Sequence, residues 1–498
     1  DPSFAALPLE AVRTAALGRA VDLGCSNAEV RIERIRSQVV VVRDGHVETT
    51  VDDTEIGVGL RVVDDRSMGF AATVELHPDA AAELADRAVE MARSTAPALA
   101  VPVDLAAEPG YGAVDWSSPY QTDPTTVPVA EKAALLGEWS ARLLAHPVVD
   151  HVTAYVLAVV EDKHFADLSG TVATQRRVRI HPVVEAYAVD GASGSFESMR
   201  TLAPPVGRGW EYMSDGTWGW DDELARLGDL LAEKLASPSV EAGPYDLVID
   251  PSNLWLTIHE SVGHATELDR ALGYEAAYAG TSFATFDQLG TLRYGSPVMN
   301  VTGDRTTPHG LATVGYDDEG VAAQSFDIVS DGVLVGYQLD RRMAAENDLG
   351  RSNGCAFADS PLHAPIQRMA NVSLAPAPGP GPSTDELIAG VDRGVYVVGD
   401  KSWSIDMQRH NFQFTGQRFY RIEGGRLAGQ LRDVAYQATT TAFWGSLDAV
   451  GGTSTYVLGG AFNCGKGQPP QVAPVSHGCP SALFRGINVL NARAETGR

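Results

Sequence analysis

Cysteine is scarce in this sequence, and its scarcity limits the classes of protein to which the chain can belong. Only Cys25, Cys355, Cys464 and Cys479 occur among 498 residues. Small secreted proteins that depend on disulfide bonds have a far higher cysteine density. We therefore expect a protein of the reducing cytoplasm, in which a single thiol is free to act as a metal ligand.

Positive charge and long apolar runs are also lacking. The chain has 38 Lys and Arg against 64 Asp and Glu, which gives a formal net charge of −26. Such a charge repels phosphate backbones and anionic lipid surfaces, so neither nucleic acid nor a membrane is expected as a partner. Because no run of about 18 apolar residues is present, no transmembrane helix is expected.

Apolar residues make up 44 % of the chain, which is enough for a folded protein of two large domains. Residues 1–236 contain a helical pattern, several strand-like runs and a second helical pattern, and this order then occurs again. The repeat predicts a pseudo-duplicated α+β domain with an antiparallel sheet. Residues 96–126, rich in Pro, Asp and Ser, separate the two copies and are expected to form a surface connection.

Residues 237–498 have a different pattern. One helix is predicted from Asn253 to about Leu268, and many short β-like runs follow it. We therefore expect the α+β class for the whole chain, with a β-rich C-terminal domain that carries this helix. The Pro-, Ser- and Gly-rich segment 237–244 is the predicted domain boundary.

The predicted helix contains the most informative motif of the chain, H-E-x-x-x-H, formed by His259, Glu260 and His264. Neutral imidazole is a preferred zinc ligand. A carboxylate beside two such ligands is well placed to move protons from a metal-bound water. The motif therefore indicates a metal-dependent hydrolase.

The spacing of the two histidines imposes a structural condition. Five residues apart, they differ by about 140° around an ideal α-helix. Both side chains can reach one metal only if the helix is locally widened or ends within the motif. Gly263, directly before His264, is a residue that permits such a departure.

A zinc site needs a third protein ligand, and the residues alone leave several candidates. Cys464 lies in a glycine-flanked segment, where Lys466 would lower the pKa of its thiol. His477 and Cys479 form a second candidate pair. Near the motif, Glu267 and Asp269 are also candidates, and Glu267 could instead orient the imidazole of His264.

Several segments carry recognisable motifs, the helix motif among them: Ile56–Val63, Gly69–Thr73, His259–Asp269 (H-E-S-V-G-H-A-T-E-L-D), Gly315–Gly320 (G-Y-D-D-E-G), Arg351–Gly354, Arg368–Asn371 and Asn463–Gln468 (N-C-G-K-G-Q). Together these segments resemble the TldD/PmbA family of metalloproteases, in particular its TldD-type branch, which retains the metal motif.

The resemblance implies a zinc-dependent peptidase with one Zn²⁺ per chain, held by His259, His264 and Cys464. Glu260 would be the general base. The family also implies a dimer, formed with a motif-less TldE/PmbA-type paralogue or with a second copy, which encloses a channel for unfolded or extended peptides. A peptide would dock there as an added strand, and residues 451–456 are a candidate edge for it, although they are equally typical of a core strand.

One segment departs from the family pattern. Residues 400–406 replace a glycine-rich loop, and Lys401 and Trp403 fill space that glycine would leave open. We predict substrate contacts by Trp403, and by Asn463 and Lys466 beside Cys464. The departure keeps a second hypothesis open, a metal-dependent enzyme that tailors a peptide-derived natural product. The motif-less branch of the family suggests a third, a non-catalytic peptide-binding subunit, against which the intact motif and Cys464 argue.

Overall fold

The computed structural model describes residues 3–191, 194–467 and 469–495; Gln468 of the late motif lies outside them. The α-helices are α1 Leu9–Asp22, α2 Pro78–Thr95, α3 Val129–Leu144, α4 Trp220–Ala236, α5 Pro251–Ile258, α6 Leu268–Ala271, α7 Arg341–Glu346, α8 Thr384–Ala389, α9 Thr440–Gly445 and α10 Ala492–Glu495. The strands before α5 are β1 Asn27–Arg43, β2 His46–Asp64, β3 Ser67–Thr73, β4 Gly112–Ser117, β5 His151–Asp167, β6 Thr171–Asp190, β7 Ser195–Arg200 and β8 Gly243–Ile249. The strands after α5 are β9 Val301–Asp304, β10 Ser325–Ser330, β11 Val333–Leu334, β12 Ala356–Phe357, β13 Ile366–Gln367, β14 Asn371–Leu374, β15 Arg393–Ile405, β16 Asn411–Glu423, β17 Arg426–Leu431, β18 Val434–Thr439, β19 Leu447–Val450, β20 Val457–Lys466, β21 Gln471–Cys479 and β22 Ala482–Asn491.

The N-terminal strands form one sheet with the order β3-β2-β1-β5-β6-β4, and β7 also pairs with β6. The predicted repeat is present in the order of elements: α1-β1-β2-β3-α2 is followed by α3-β5-β6-β7-α4. Alternate residues of β5, such as Val152, Ala154 and Val156, are buried under α3 and α4. This alternation is what a strand with one covered face requires.

Two details of the N-terminal prediction are wrong. The sequence pattern predicts separate strands for residues 28–35 and 39–42, and for 175–180 and 183–189. Each pair forms one continuous strand, β1 and β6, which passes through the polar stretch between the runs without a break. Residues 96–126 are not only a connection, since they contain β4. This strand pairs in parallel with β6, so the sheet is not purely antiparallel.

The C-terminal region is rich in strands, as predicted, and the α+β class of the chain is confirmed. Its larger sheet has the order β15-β8-β22-β18-β16-β17, with β19 on β22. A smaller sheet, β11-β10-β9-β14, and the pair β20-β21 pack around α5. The boundary predicted at 236/237 stays a prediction; α4 ends at Ala236 and β8 begins at Gly243.

Residues 451–456 do not form a strand, so both alternatives given for them are wrong. Gly451 and Gly452 are buried, residues 453–455 make a short 3₁₀ turn, and the strand begins at Val457. The next candidate for an edge on which a peptide could dock is therefore β20, the strand that begins at Val457.

Buried ion pairs join the N-terminal sheet to the G-Y-D-D-E-G segment of the C-terminal region. Asp318 lies 2.5 Å from Lys163 Nζ and 3.2 Å from Arg31 Nη1. Glu319 accepts a 2.6 Å bond from Arg61. Buried charges are tolerated only when paired in this way, so these residues hold the two regions in one arrangement. Within the described ranges, no helix is both long and apolar enough to cross a bilayer.

Candidate metal centre

The helix that carries H-E-x-x-x-H changes geometry inside the motif. Asp250 caps the start of α5 by accepting a 3.0 Å bond from the backbone N–H of Ser252. The α-helix ends at Ile258, and His259–Gly263 form one π-helical turn, in which the N–H of His264 bonds to the carbonyl of His259. A π turn accommodates an i,i+5 pair on one face. The predicted local widening is therefore present.

Gly263 makes this turn possible because of what packs against it. A Cβ at this position would lie 2.6 Å from the Sδ atom of Met369. Any other residue there would require the end of the buried Met369 side chain to move, so glycine lets the π turn lie directly against Met369. The spacing of the motif and its glycine thus serve the same geometry.

The structure brings together His259, His264 and Cys464. One donor atom from each residue lies within 4.8 Å of the others, and all three residues are buried. The Sγ atom of Cys464 is 3.5 Å from Nε2 of His264. Arg368 positions the cysteine strand, because its guanidinium donates to the carbonyl oxygens of Cys464, at 2.5 Å, and Gln471, at 3.1 Å.

Hydrogen bonds determine which nitrogen of His259 is available to a metal. His477 Nδ1 lies 2.8 Å from the carbonyl oxygen of Val372, which only accepts, so Nδ1 carries the proton. The Nε2 atom of His477 is then an acceptor for the Nδ1–H of His259, 2.7 Å away. His259 is left with an unprotonated Nε2, the form in which imidazole binds a metal.

Glu267 determines which nitrogen of His264 is available to a metal. Its Oε2 atom lies 2.9 Å from Nδ1 of His264, so that nitrogen donates and Nε2 is free of a proton. Lys466 holds Glu267 in turn, since its ammonium donates to Glu267 at 3.1 Å, Asp269 at 2.8 Å and Gln367 at 2.6 Å. Lys466 is fully buried in this cluster, which argues against its predicted contact with substrate.

The electrostatics of the cluster favour the metal-binding protonation states. Burial lowers the pKa of His259 and of His264, so both imidazoles are neutral at physiological pH. Burial raises the pKa of the Cys464 thiol, but its interactions with His264 and with the guanidinium of Arg368 lower it by more, and the net pKa is below its usual value. The predicted source of this lowering, Lys466, is not among its causes.

Glu260 has a partner that the sequence did not reveal. Arg409 Nη1 lies 2.8 Å from Glu260 Oε2, and both side chains are largely buried. Arg409 stands in the turn between β15 and β16 with a left-handed backbone conformation, φ 63°. No sequence signal marks it, because it is 149 residues from Glu260 and only the fold brings the two together.

The remaining candidates lie elsewhere. Cys479 packs with Sγ 3.6 Å from the carbonyl oxygen of Pro251, and burial raises its thiol pKa well above the usual value. Asp269 is engaged by Lys466.

Two residues predicted to contact substrate lie at the surface of a cleft between the two regions. Trp403 is 53 % exposed on β15, and Asn463 lies beside Cys464. The roles of the site residues stay predictions.

A buried pair of neutral imidazoles, a thiol and an adjacent carboxylate define a candidate metalloenzyme centre. Comparison with known proteins identifies the family. The profile of the PmbA/TldA metallopeptidase C-terminal domain matches residues 242–491, and that of PmbA/TldA metallopeptidase domain 1 matches residues 28–92. The chain belongs to the TldD/PmbA family of metallopeptidases, which confirms the resemblance seen in the sequence.

Individual relatives agree with this assignment. A protein of Methanothermobacter thermautotrophicus named as a metalloprotease is 28 % identical over 474 residues, which cover 93 % of this chain and 95 % of the relative. A Saccharolobus solfataricus protein named as a zinc metalloprotease TldD homolog is 26 % identical over 268 residues, 53 % of this chain and 56 % of that protein. The crystal structure of TldE from Thermococcus kodakarensis has the same fold, with a TM-score of 0.73 at 15 % identity, over 96 % of this chain and 99 % of TldE.

Proposed function

We propose that this chain is a zinc-dependent peptidase that hydrolyses unfolded or extended peptides. The observation that carries the proposal is the convergence of His259, His264 and Cys464, with the Nδ1 atom of each imidazole already engaged. Two neutral imidazoles and a thiolate are a preferred zinc ligand set, and three protein ligands leave a fourth position open for catalysis. The donor chemistry therefore fits one Zn²⁺ per chain.

Zinc held by these ligands would lower the pKa of a bound water and polarise the scissile carbonyl. Glu260 would act as the general base, taking a proton from that water and giving it to the leaving amine. Arg409 engages the Oε2 atom of Glu260, which supports an oriented carboxylate with Oε1 left for the proton transfer. The burial of all these groups excludes bulk water from the reacting atoms.

The substrate proposal follows from β20, which ends next to the cluster. Within the described residues this strand pairs on one side only, with β21, so its other edge offers unpaired backbone groups to an extended peptide. Recognition through the backbone suits unfolded chains of many sequences. We further propose that the protein works as a dimer, with a TldE-type partner or with itself, and that the second subunit encloses this edge in a channel.

A substitution at Glu260 tests the catalytic proposal. Glu260→Gln should keep one zinc per chain and reduce kcat on an unstructured peptide by about 10²- to 10⁴-fold. Unchanged cleavage would end the proposal. A wild-type protein that holds zinc but cleaves no peptide would favour the tailoring enzyme, and one that binds peptide without zinc would favour the non-catalytic subunit.

A sizing column tests the assembly. We expect the purified chain to elute as a dimer, either by itself or only when a TldE-type protein has been added. Elution as a monomer in both mixtures contradicts the proposed dimer, while leaving the chemistry of the site untouched.

A further inference from the structure

A cleft of about 510 Å³ lies between the N-terminal sheet and the C-terminal region, beside the metal centre. Its size is that of pockets that take a small molecule or a large side chain. Two residues of its lining connect it to the centre: Asn463 precedes Cys464, and the Trp255 ring centroid is 6.3 Å from that of His259. Both connections place the cleft next to the predicted metal ligands.

Aromatic rings form the walls of this cleft. Phe462 of β20 stacks on His181 at 5.7 Å and 14°, and Tyr155 meets His181 edge-on at 5.8 Å. Trp255 and Trp403 line the side formed by the C-terminal region. Rings arranged in this way favour another ring, by stacked or edge-to-face contact.

The cleft meets β20 closely because of one glycine. A Cβ on Gly459 would lie 2.6 Å from the Cγ atom of Trp255. Because Gly459 has no Cβ atom, β20 lies directly against the indole of Trp255. Ala461 and Phe462 border the open space of the cleft. A peptide aligned on the free edge of β20 would therefore direct a side chain into the cleft, because alternate side chains of a strand point to the same face.

The cleft presents no charge that lacks a partner among the described residues. Arg200 forms an ion pair with Asp400, whose Oδ1 also accepts a 3.1 Å bond from the indole of Trp255. Asp250 accepts a 2.6 Å bond from Tyr396. Burial lowers the pKa of His181 to about 3, so this imidazole is neutral at physiological pH. An acidic side chain would lose its water here and gain no free cation, because Arg200 is already paired. A basic side chain would have to compete with the bonds that Asp250 and Asp400 already accept.

We infer that this cleft is a specificity subsite for one large, uncharged, aromatic side chain of the peptide, close to the cleaved bond. The inference rests on the proposed function and adds a substrate class to it: unfolded peptides that contain Phe, Tyr or Trp. Backbone pairing with β20 would bind any extended chain, and the cleft would set the position at which the chain is cut.

The first test uses ten-residue peptides of Gly, Ser and Ala with one variable position, occupied by Phe, Ala, Asp or Arg. We expect kcat/KM for the Phe peptide to exceed that for the Ala peptide at least about tenfold, and the Asp and Arg peptides to fall below Ala. Moving Phe along the peptide should move the cleaved bond with it, as read by mass spectrometry. Cleavage at positions that ignore Phe, with equal kcat/KM for all four peptides, overturns the inference and leaves the peptidase proposal standing.

Two variants place the preference in the cleft. Trp403→Ala should lower the Phe-to-Ala ratio of kcat/KM by about tenfold, and Ala461→Phe, which fills the space, should bring the ratio below one. Leu427→Ala is the matched control, because Leu427 is a large exposed apolar residue, 45 % accessible, that does not line the cleft. If wild type and both cleft variants have the same Phe-to-Ala ratio of kcat/KM, the cleft does not set the preference for an aromatic side chain.

A binding measurement separates this inference from the catalytic one. Glu260→Gln should bind the labelled Phe peptide at least about tenfold more tightly than the Ala peptide, as measured by fluorescence anisotropy. Tighter binding of the Phe peptide supports the subsite even if the wild type cleaves nothing. Absence of cleavage would contradict only the peptidase proposal. Equal binding of the two peptides counts against the cleft whatever the activity.

Discussion

The Nε2 atom of His477 lies 2.7 Å from the Nδ1 atom of His259, and the other ring nitrogen of His477 is bound to the carbonyl of Val372. His477 was a rival candidate for the third ligand in the sequence. In the structure it is an acceptor behind a predicted ligand, which sets both the tautomer and the orientation of His259.

The first prediction concerns this acceptor. His477→Leu should weaken zinc affinity by about 10- to 100-fold, because His259 would lose the partner that keeps Nε2 unprotonated and aimed at the metal. His477→Gln should retain most of the affinity, since an amide can accept from His259 and donate to Val372 together. Competition with a chromogenic chelator measures both constants. Equal affinities for the two variants would show that His477 acts only by filling space.

The second prediction concerns the π turn. Gly263→Ala should destabilise the protein by about 1–3 kcal/mol and displace His264, because the new methyl group would overlap Met369, whose Sδ lies 2.6 Å from that position. Urea unfolding and zinc content report the two effects. The double variant Gly263→Ala with Met369→Ala should recover zinc content. If the single variant binds zinc normally, the close contact does not control the motif.

The third prediction concerns the buried cation behind His264. Lys466→Met should lower the free energy of unfolding by about 3–5 kcal/mol. Asp269 would remain buried without its counter-ion, and Glu267 would keep only the cation of Arg270, 3.5 Å away. Arg36→Met, at the more exposed ion pair with Asp52, is the control and should change little. Similar losses for both variants, measured by urea unfolding, would contradict the importance of the buried cluster.

The fourth prediction is a pH dependence. Burial lowers the pKa of His181 to about 3, whereas the unfolded chain has a histidine pKa of about 6.5. Between these values the unfolded state binds the extra proton, so stability falls as the pH drops below about 6.5. We expect His181→Phe to lose about 2 kcal/mol less stability than wild type between pH 7 and pH 5. Parallel stability–pH curves for the two proteins would refute this role of His181.

The sequence predicted the main parts of the site for identifiable reasons. The motif and Gly263 are local, so the spacing of the histidines was enough to predict a widened helix. The third ligand was different: Cys464 is 200 residues from His264, and the residues alone left it among several rivals until the resemblance to the family selected it.

Other features could not be predicted because they arise only from the packed chain. Arg409 reaches Glu260 from a turn with no recognisable pattern, and the role of His477 depends on the carbonyl of Val372. Strand length was misjudged for a similar reason. In β1 and β6, pairing with neighbouring strands carries the ladder through polar residues that a sequence pattern marks as breaks.

The central claim is that His259, His264 and Cys464 bind one zinc together, and X-ray absorption at the zinc edge tests it most directly. Wild-type protein should hold one zinc per chain with a single sulfur at about 2.3 Å and nitrogen or oxygen at about 2.0–2.1 Å. In Cys464→Ser the sulfur shell should disappear and zinc content should fall. A wild-type spectrum without sulfur, or a Cys464→Ser spectrum identical to wild type, would contradict the account.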